Sequence, residues 1–116
     1  MKTEKFRNEL DLDKNVTIKN SMRIATPKIN AFNNAYSDLL IKEYDYSVCD
    51  ENNEQACYDE YNRAKKSALN CGYQAIRSII PILDMFSSTN FDSEAYGFFN
   101  KNYNEINKIV LKLENY

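Results

Sequence analysis

CYDEYNRAKKSALNCGYQAIRSIIPILDMF, residues 57–86, is the stretch whose reading decides the fold. Within it Cys57, Tyr61, Ala64, Ala68, Cys71, Ala75, Ile79, Ile82 and Phe86 follow one another at steps of four or three. That spacing returns each side chain to one face of an α-helix, whereas a strand would need alternation by two. The first half of the face is small, with Gly72 beside it, so a neighbouring helix can approach closely. The second half, from Ile76 to Phe86, is bulky. Pro81 falls inside it and predicts a bend or a restart, because proline lacks an N–H and crowds the preceding turn.

The same periodicity extends both ways. Downstream, Tyr96, Phe99, Tyr103, Ile106, Val110 and Leu113 alternate steps of three and four, the seam of a bundle helix. Phe98, Ile109 and Leu111 widen that face. Upstream, Thr26-Pro27 reads as a helix start, because threonine caps free N–H groups and proline at the first helical position loses no bond. Ile29, Phe32, Tyr36, Leu39 and Tyr44 recur after it, helped by Ala35 and Leu40, and this helix is expected to end near Tyr46. The alternative is that residues 21–27 are already helical and Pro27 kinks a longer helix. Over residues 1–20, Phe6 and Leu10 share a helical face, while Leu12, Val16 and Ile18 alternate as in a strand; a short helix and an extended arm are both open.

Polar connections are expected at 47–53 and 87–93, with Asp50 or Asn52 capping the helix that follows the first. Two glycines and two prolines are too few for the turns of a sandwich or barrel. The expectation is therefore an all-α single domain: an antiparallel three- to four-helix bundle over residues 21–116, with residues 1–20 as an N-terminal arm or short helix.

With 116 residues the chain has room for one modest core, and 43% hydrophobic with 28% charged residues is ordinary for a globular domain. The net charge of −2 hides a strong segregation. Residues 1–42 hold eight basic and five acidic side chains, residues 43–60 hold none and seven, and residues 61–116 hold seven and five. No basic face large enough for nucleic acid emerges, and Arg63, Lys65, Lys66 and Arg77 read as a solvated helix face. The opening residues lack an apolar run of signal-peptide length and nothing approaches the ~20 apolar residues of a membrane span, so a cytoplasmic protein is expected, with no membrane partner. The abundance of asparagine, lysine, isoleucine and tyrosine suggests an AT-rich coding sequence of phage or bacterial origin.

Chemistry finds little purchase. Histidine is absent, which removes the commonest acid–base group and metal ligand. No glycine-rich phosphate loop is present. Asp50, Asn52 and Glu54 have the spacing that opens a calcium loop, but Gln55 stands where its glycine is needed and Tyr61 where its closing glutamate is needed. Cys57 and Cys71 read as small core residues and Cys49 as a loop thiol; a Cys49–Cys57 disulfide is the lesser reading, tied to an oxidising setting. Neither an enzyme, a cofactor nor a metal site is expected.

What remains is EYDYSVCDENNEQACYDEY, residues 43–61, with seven acids, four tyrosines and no base. The plain reading is a solvated loop and a helix start whose acids suit the helix dipole. The functional reading is a docking surface built from Glu43, Tyr44, Asp45, Tyr46, Asp50, Glu51, Glu54, Tyr58, Asp59 and Glu60, with Tyr61 assigned to the core. Tyrosines supply rigid contact area and carboxylates steer a basic partner. In composition alone, over nineteen residues and with no shared motif, the stretch is similar to helices of bacteriocin immunity proteins and of phage inhibitors that mimic nucleic-acid charge. The expected function is a non-enzymatic protein-binding module of inhibitor or immunity type, docking a protein partner with a basic surface. The alternative is a homodimer or larger assembly formed through the small face of the second helix or the wide face of the third.

Overall fold

A computed structural model describes residues 2–87 and 93–115, with side chains over 18–86 and 94–115. The described residues form three α-helices, α1 (Lys2–Ser47), α2 (Glu54–Ser87) and α3 (Ser93–Glu114), and a 3-10 turn at Glu51–Asn53. No strand occurs among them. The Cα trace is a rod of 77 × 19 × 17 Å. Its length is set by α1, since 46 residues at 1.5 Å each run to roughly 69 Å.

The helix start expected at Thr26-Pro27 is a correction. Residues 2–47 form one helix that passes through Pro27, so residues 1–20 supply neither an extended arm nor a separate fourth helix over the part described. The Thr26 hydroxyl does not cap; it donates to the Met22 carbonyl at 2.8 Å, the back-bond of a threonine inside a helix. Pro27 sits on the exposed side of α1. The Arg23 carbonyl it leaves without a helical partner belongs to a solvent-facing residue, where water can take the missing bond. Pro81 repeats the arrangement within α2, again exposed and again following an exposed residue, Arg77, by four. Tertiary burial holds the early part of α1 in place: Ile18 and Ala25 are fully buried. The side chains of Phe6, Leu10, Leu12 and Val16, and the second connection at 88–92, lie outside the described residues.

α2 is the central element and packs against both other helices. One core cluster joins Ile18, Phe32, Ile79, Ile82, Phe86, Phe99 and Ile106 with their neighbours, and a second joins Leu39, Ala64, Ala68 and Leu113. The small face of α2 is what admits both partners. At Gly72 an added Cβ would stand 2.5 Å from a Val110 methyl and 3.3 Å from the Phe32 ring. α1 and α3 thus converge on one backbone position, which only glycine leaves clear. Cys49 joins Cys57, Lys42 meets Glu60, and Phe32 lies beside Gly72. Between α2 and α3, Phe86 meets Tyr96, Gly72 faces Val110, and Tyr73 bonds Glu114.

Two assignments within the helices change. Tyr44, expected in the core face of the first helix, is exposed, and its place is taken by the half-buried Tyr46. Leu39 to Tyr44 is a step of five, which turns the side chain about 140° away from the Leu39 direction, whereas Leu39 to Tyr46 is a step of seven and returns to within about 20° of it. Tyr96, placed at the start of the α3 seam, is also exposed, with its ring edge-on to Phe86.

Candidate functional site: the acidic tyrosine end

The α1–α2 connection brings the ten sequence-selected residues to one end of the rod. α1 closes with the Val48 N–H bonded to the Tyr44 carbonyl, and the Ser47 hydroxyl donates to the same carbonyl at 2.6 Å. The chain then turns through Asp50, whose carbonyl accepts from the Asn53 N–H at 2.9 Å. Asp50 precedes the 3-10 turn in an extended conformation but makes no side-chain capping bond, and Asn52 lies inside the turn. The capping expected of either is not made by Asp50, whose carboxylate stays exposed. Glu51 and Glu54 stand in the first turns of their helical segments, where negative charge suits the helix dipole.

Cys49 and Cys57 are joined by a disulfide with Cα atoms 6.6 Å apart. The thiol reading of these two residues is corrected: only Cys71 is free among the three. Sequence spacing alone gives no connectivity; what decides it is the turn geometry, which returns α2 against the end of α1. The bond fixes the turn where no side-chain cap does.

Beneath the acids lies a small aromatic stack. The Tyr46 ring centroid is 5.8 Å from those of both Tyr58 and Tyr61. Tyr61 also packs against the Leu39 cluster, which ties the stack to the core. Tyr46 is half-buried by it, and Tyr58 and Tyr44 remain exposed. Glu43, Asp45, Asp50, Glu51, Glu54, Asp59 and Glu60 are all exposed. Among the described residues Glu60 is ion-paired to Lys42 at 3.6 Å, and Asp59 accepts from Gln55 Nε2 at 2.9 Å. The pair is half-exposed and contributes little, about 0–1 kcal/mol. Its neighbours along the α1–α2 seam, Asp38 and Arg63, continue a ladder of alternating sign, so the basic residues of α2 face solvent and opposite charge.

The end therefore combines seven carboxylates, a stacked phenol platform and a covalent staple. Among the described residues no group of three or more cysteine, aspartate or glutamate side chains is placed to hold a metal ion. No described helix is long and apolar enough to cross a membrane. Compared with known protein families, curated proteins and solved structures, the chain matches none.

Sequence reasoning missed the apolar residues beside the acids. Leu40, Ile41 and Val48 are exposed along the outer side of α1. Their mismatch with the core spacing was the available sign.

Proposed function

We propose that the chain is a non-enzymatic protein-binding module, an antiparallel three-helix bundle that docks through the end formed by residues 43–60 on a basic surface of a partner protein. The observation that carries this reading is the exposure of all seven carboxylates of that segment at one end of the rod, with no lysine or arginine among them. A solvated helix start does not need a stacked tyrosine platform or a disulfide beneath it. A docking surface gains from both, because rigid contact area loses less entropy on binding. Carboxylates speed encounter with a cationic partner and set its orientation. An inhibitor or immunity-type role is the specific form this takes.

The competing homodimer reading loses one of its two surfaces: the small face of α2 is filled by α1 and α3 of the same chain, and Ile106 on α3 is buried. The disulfide bears on location too. Such bonds persist in oxidising compartments and are rare in the cytoplasm, so this reading favours an oxidising site of action over the cytoplasmic one expected from the sequence.

The test is a paired capture from lysate of the source organism or its host. One bait is the wild type and the other carries Asp50→Asn, Glu51→Gln, Glu54→Gln, Asp59→Asn and Glu60→Gln, with helix content checked by circular dichroism. A partner retained by the first and lost by the second is expected. A partner held equally by both would remove the acids from the interface.

A further inference from the structure

Four apolar side chains run along the outer flank of α1 into the acidic end: Leu40, Ile41, Tyr44 and Val48 are 48%, 58%, 66% and 63% exposed. At about 100° per residue Leu40, Ile41 and Tyr44 fall within one roughly 100° sector of the helix, and Val48, one residue past the end of α1 with its N–H bonded to the Tyr44 carbonyl, follows them. This sector is separate from the core face that holds Ile29, Phe32 and Leu39. The row starts at a groove between α1 and α3, where Leu40 lies with Tyr36, Tyr61, Ile109 and Leu113. Tyr44 and Val48, further along the row, are exposed. Single exposed apolar residues need no explanation, but a contiguous row leading out of a groove does.

The charges around the row choose the occupant. On the α1 cylinder Asp45 lies about 40° beyond one edge of the sector and Glu43 about 60° beyond the other, both exposed, while Asp38 sits with Lys42, Glu60 and Arg63 on the α1–α2 seam. Lys42 projects from the far side, where it meets Glu60. Lys112 at the mouth of the groove is the one cation there among its described lining residues. We propose that this face seats an amphipathic helix of a partner protein, with an apolar row laid along Leu40, Ile41, Tyr44 and Val48 and with lysine or arginine on both flanks. A helix fits because the acceptor is itself a straight helical row, read at spacings of three and four, and such rows bind helices through matching anchors. The inference deepens the docking reading and rests on it: the acids choose the sign of the partner, and the apolar row chooses its shape.

The test uses two synthetic peptides of about 18 residues, five helical turns, with identical leucine and lysine content. In one the leucines share a face; in the other the order is shuffled so that they do not. Binding is read by fluorescence anisotropy near physiological salt, and the site by chemical-shift changes at the Leu40, Ile41 and Val48 methyls. The ordered peptide is expected to bind the wild type at least about tenfold more tightly, a difference of about 1.4 kcal/mol. Ile41→Asn with Val48→Asn, both at exposed positions, should erase that advantage, and the five-amide variant should weaken both peptides. If the peptides bind alike and the amide variant weakens both, the helix seat is overturned and charge-guided docking stands. Tight binding of the ordered peptide that ignores Glu43→Gln with Asp45→Asn, the acids that flank the row, overturns the basic flanks, and with them the partner chemistry proposed. Binding of neither peptide overturns the seat and the docking reading together.

Discussion

Gly72 concentrates the packing problem of this protein in one residue. A methyl group there would improve helix propensity by about 1 kcal/mol. It would also meet a β-branched Val110 that has few other rotamers to adopt, and the Phe32 ring behind it. Overpacking of this kind costs about 1–3 kcal/mol. Gly72→Ala is therefore expected to lower stability by up to about 2 kcal/mol in urea denaturation. In a Val110→Ala background the clash is gone and the same change should be neutral or stabilising. Additive effects in the two backgrounds would contradict the convergence of α1 and α3 on this position.

Tyr73 and Glu114 form a second residue-scale contact, which holds the end of α3 to α2. The Tyr73 hydroxyl donates to the Glu114 carboxylate. That hydrogen bond, with lesser contributions from desolvation and the Glu114 charge, raises the phenol pKa above its ordinary value. A raised folded-state value adds stability that is whole below the unfolded pKa of about 10 and is lost as pH climbs through the folded one. Ultraviolet titration should find one late-ionising tyrosine in the wild type, returned toward the others by Glu114→Gln.

At the scale of elements, the staple between α1 and α2 has a definite expected worth. Closing a loop of this length removes unfolded-state entropy worth about 2.5 kcal/mol in the chain-entropy account. Cys49→Ser with Cys57→Ser should lower stability by about that amount, and should broaden the Tyr46 and Tyr58 ring resonances as the turn loosens. Quantifying thiols after rapid alkylation gives the state in the protein as isolated, with one reactive thiol per denatured chain expected, that of Cys71.

Much of this architecture was legible because α2 and α3 write their burial in uninterrupted steps of three and four. From Ala64 to Phe86 and from Phe99 to Leu113 the seam positions are buried or half-buried, whereas Phe98 and Leu111, expected to widen the α3 face, are exposed. α1 was harder to read. Thr26-Pro27 has the same local chemistry at a helix start and on the wet side of a continuing helix, and only the burial of Ile18 and Ala25 separates the two. Tyr44 stood both in the spacing of α1 and on the docking surface; its step of five from Leu39 breaks the core spacing, and it is exposed. The acidic end was visible as composition, but its stacked tyrosines and disulfide depend on the return of α2 against α1, a tertiary event that no local pattern encodes. The apolar row on α1 was hidden because Leu40 and Tyr44 were counted toward the core, while Ile41 and Val48 stood outside the repeat and were left unassigned.

Taken as a whole molecule, the rod has one end unlike the rest. Residues 43–60 carry the charge of −7 while the sequence on either side is mildly basic. Charge and exposed aromatic area coincide there. The most direct test of docking at that end places a benzophenone side chain at Tyr44 or Tyr58 in one pair of proteins and at Ile24 or Leu111 in another, all of them exposed positions. Each is irradiated in lysate with and without the five amide changes. The account predicts a cross-linked partner from positions 44 and 58 that disappears with the amides, and none from 24 or 111. Cross-links from 24 or 111 that persist with the amides, and silence from 44 and 58, would contradict it.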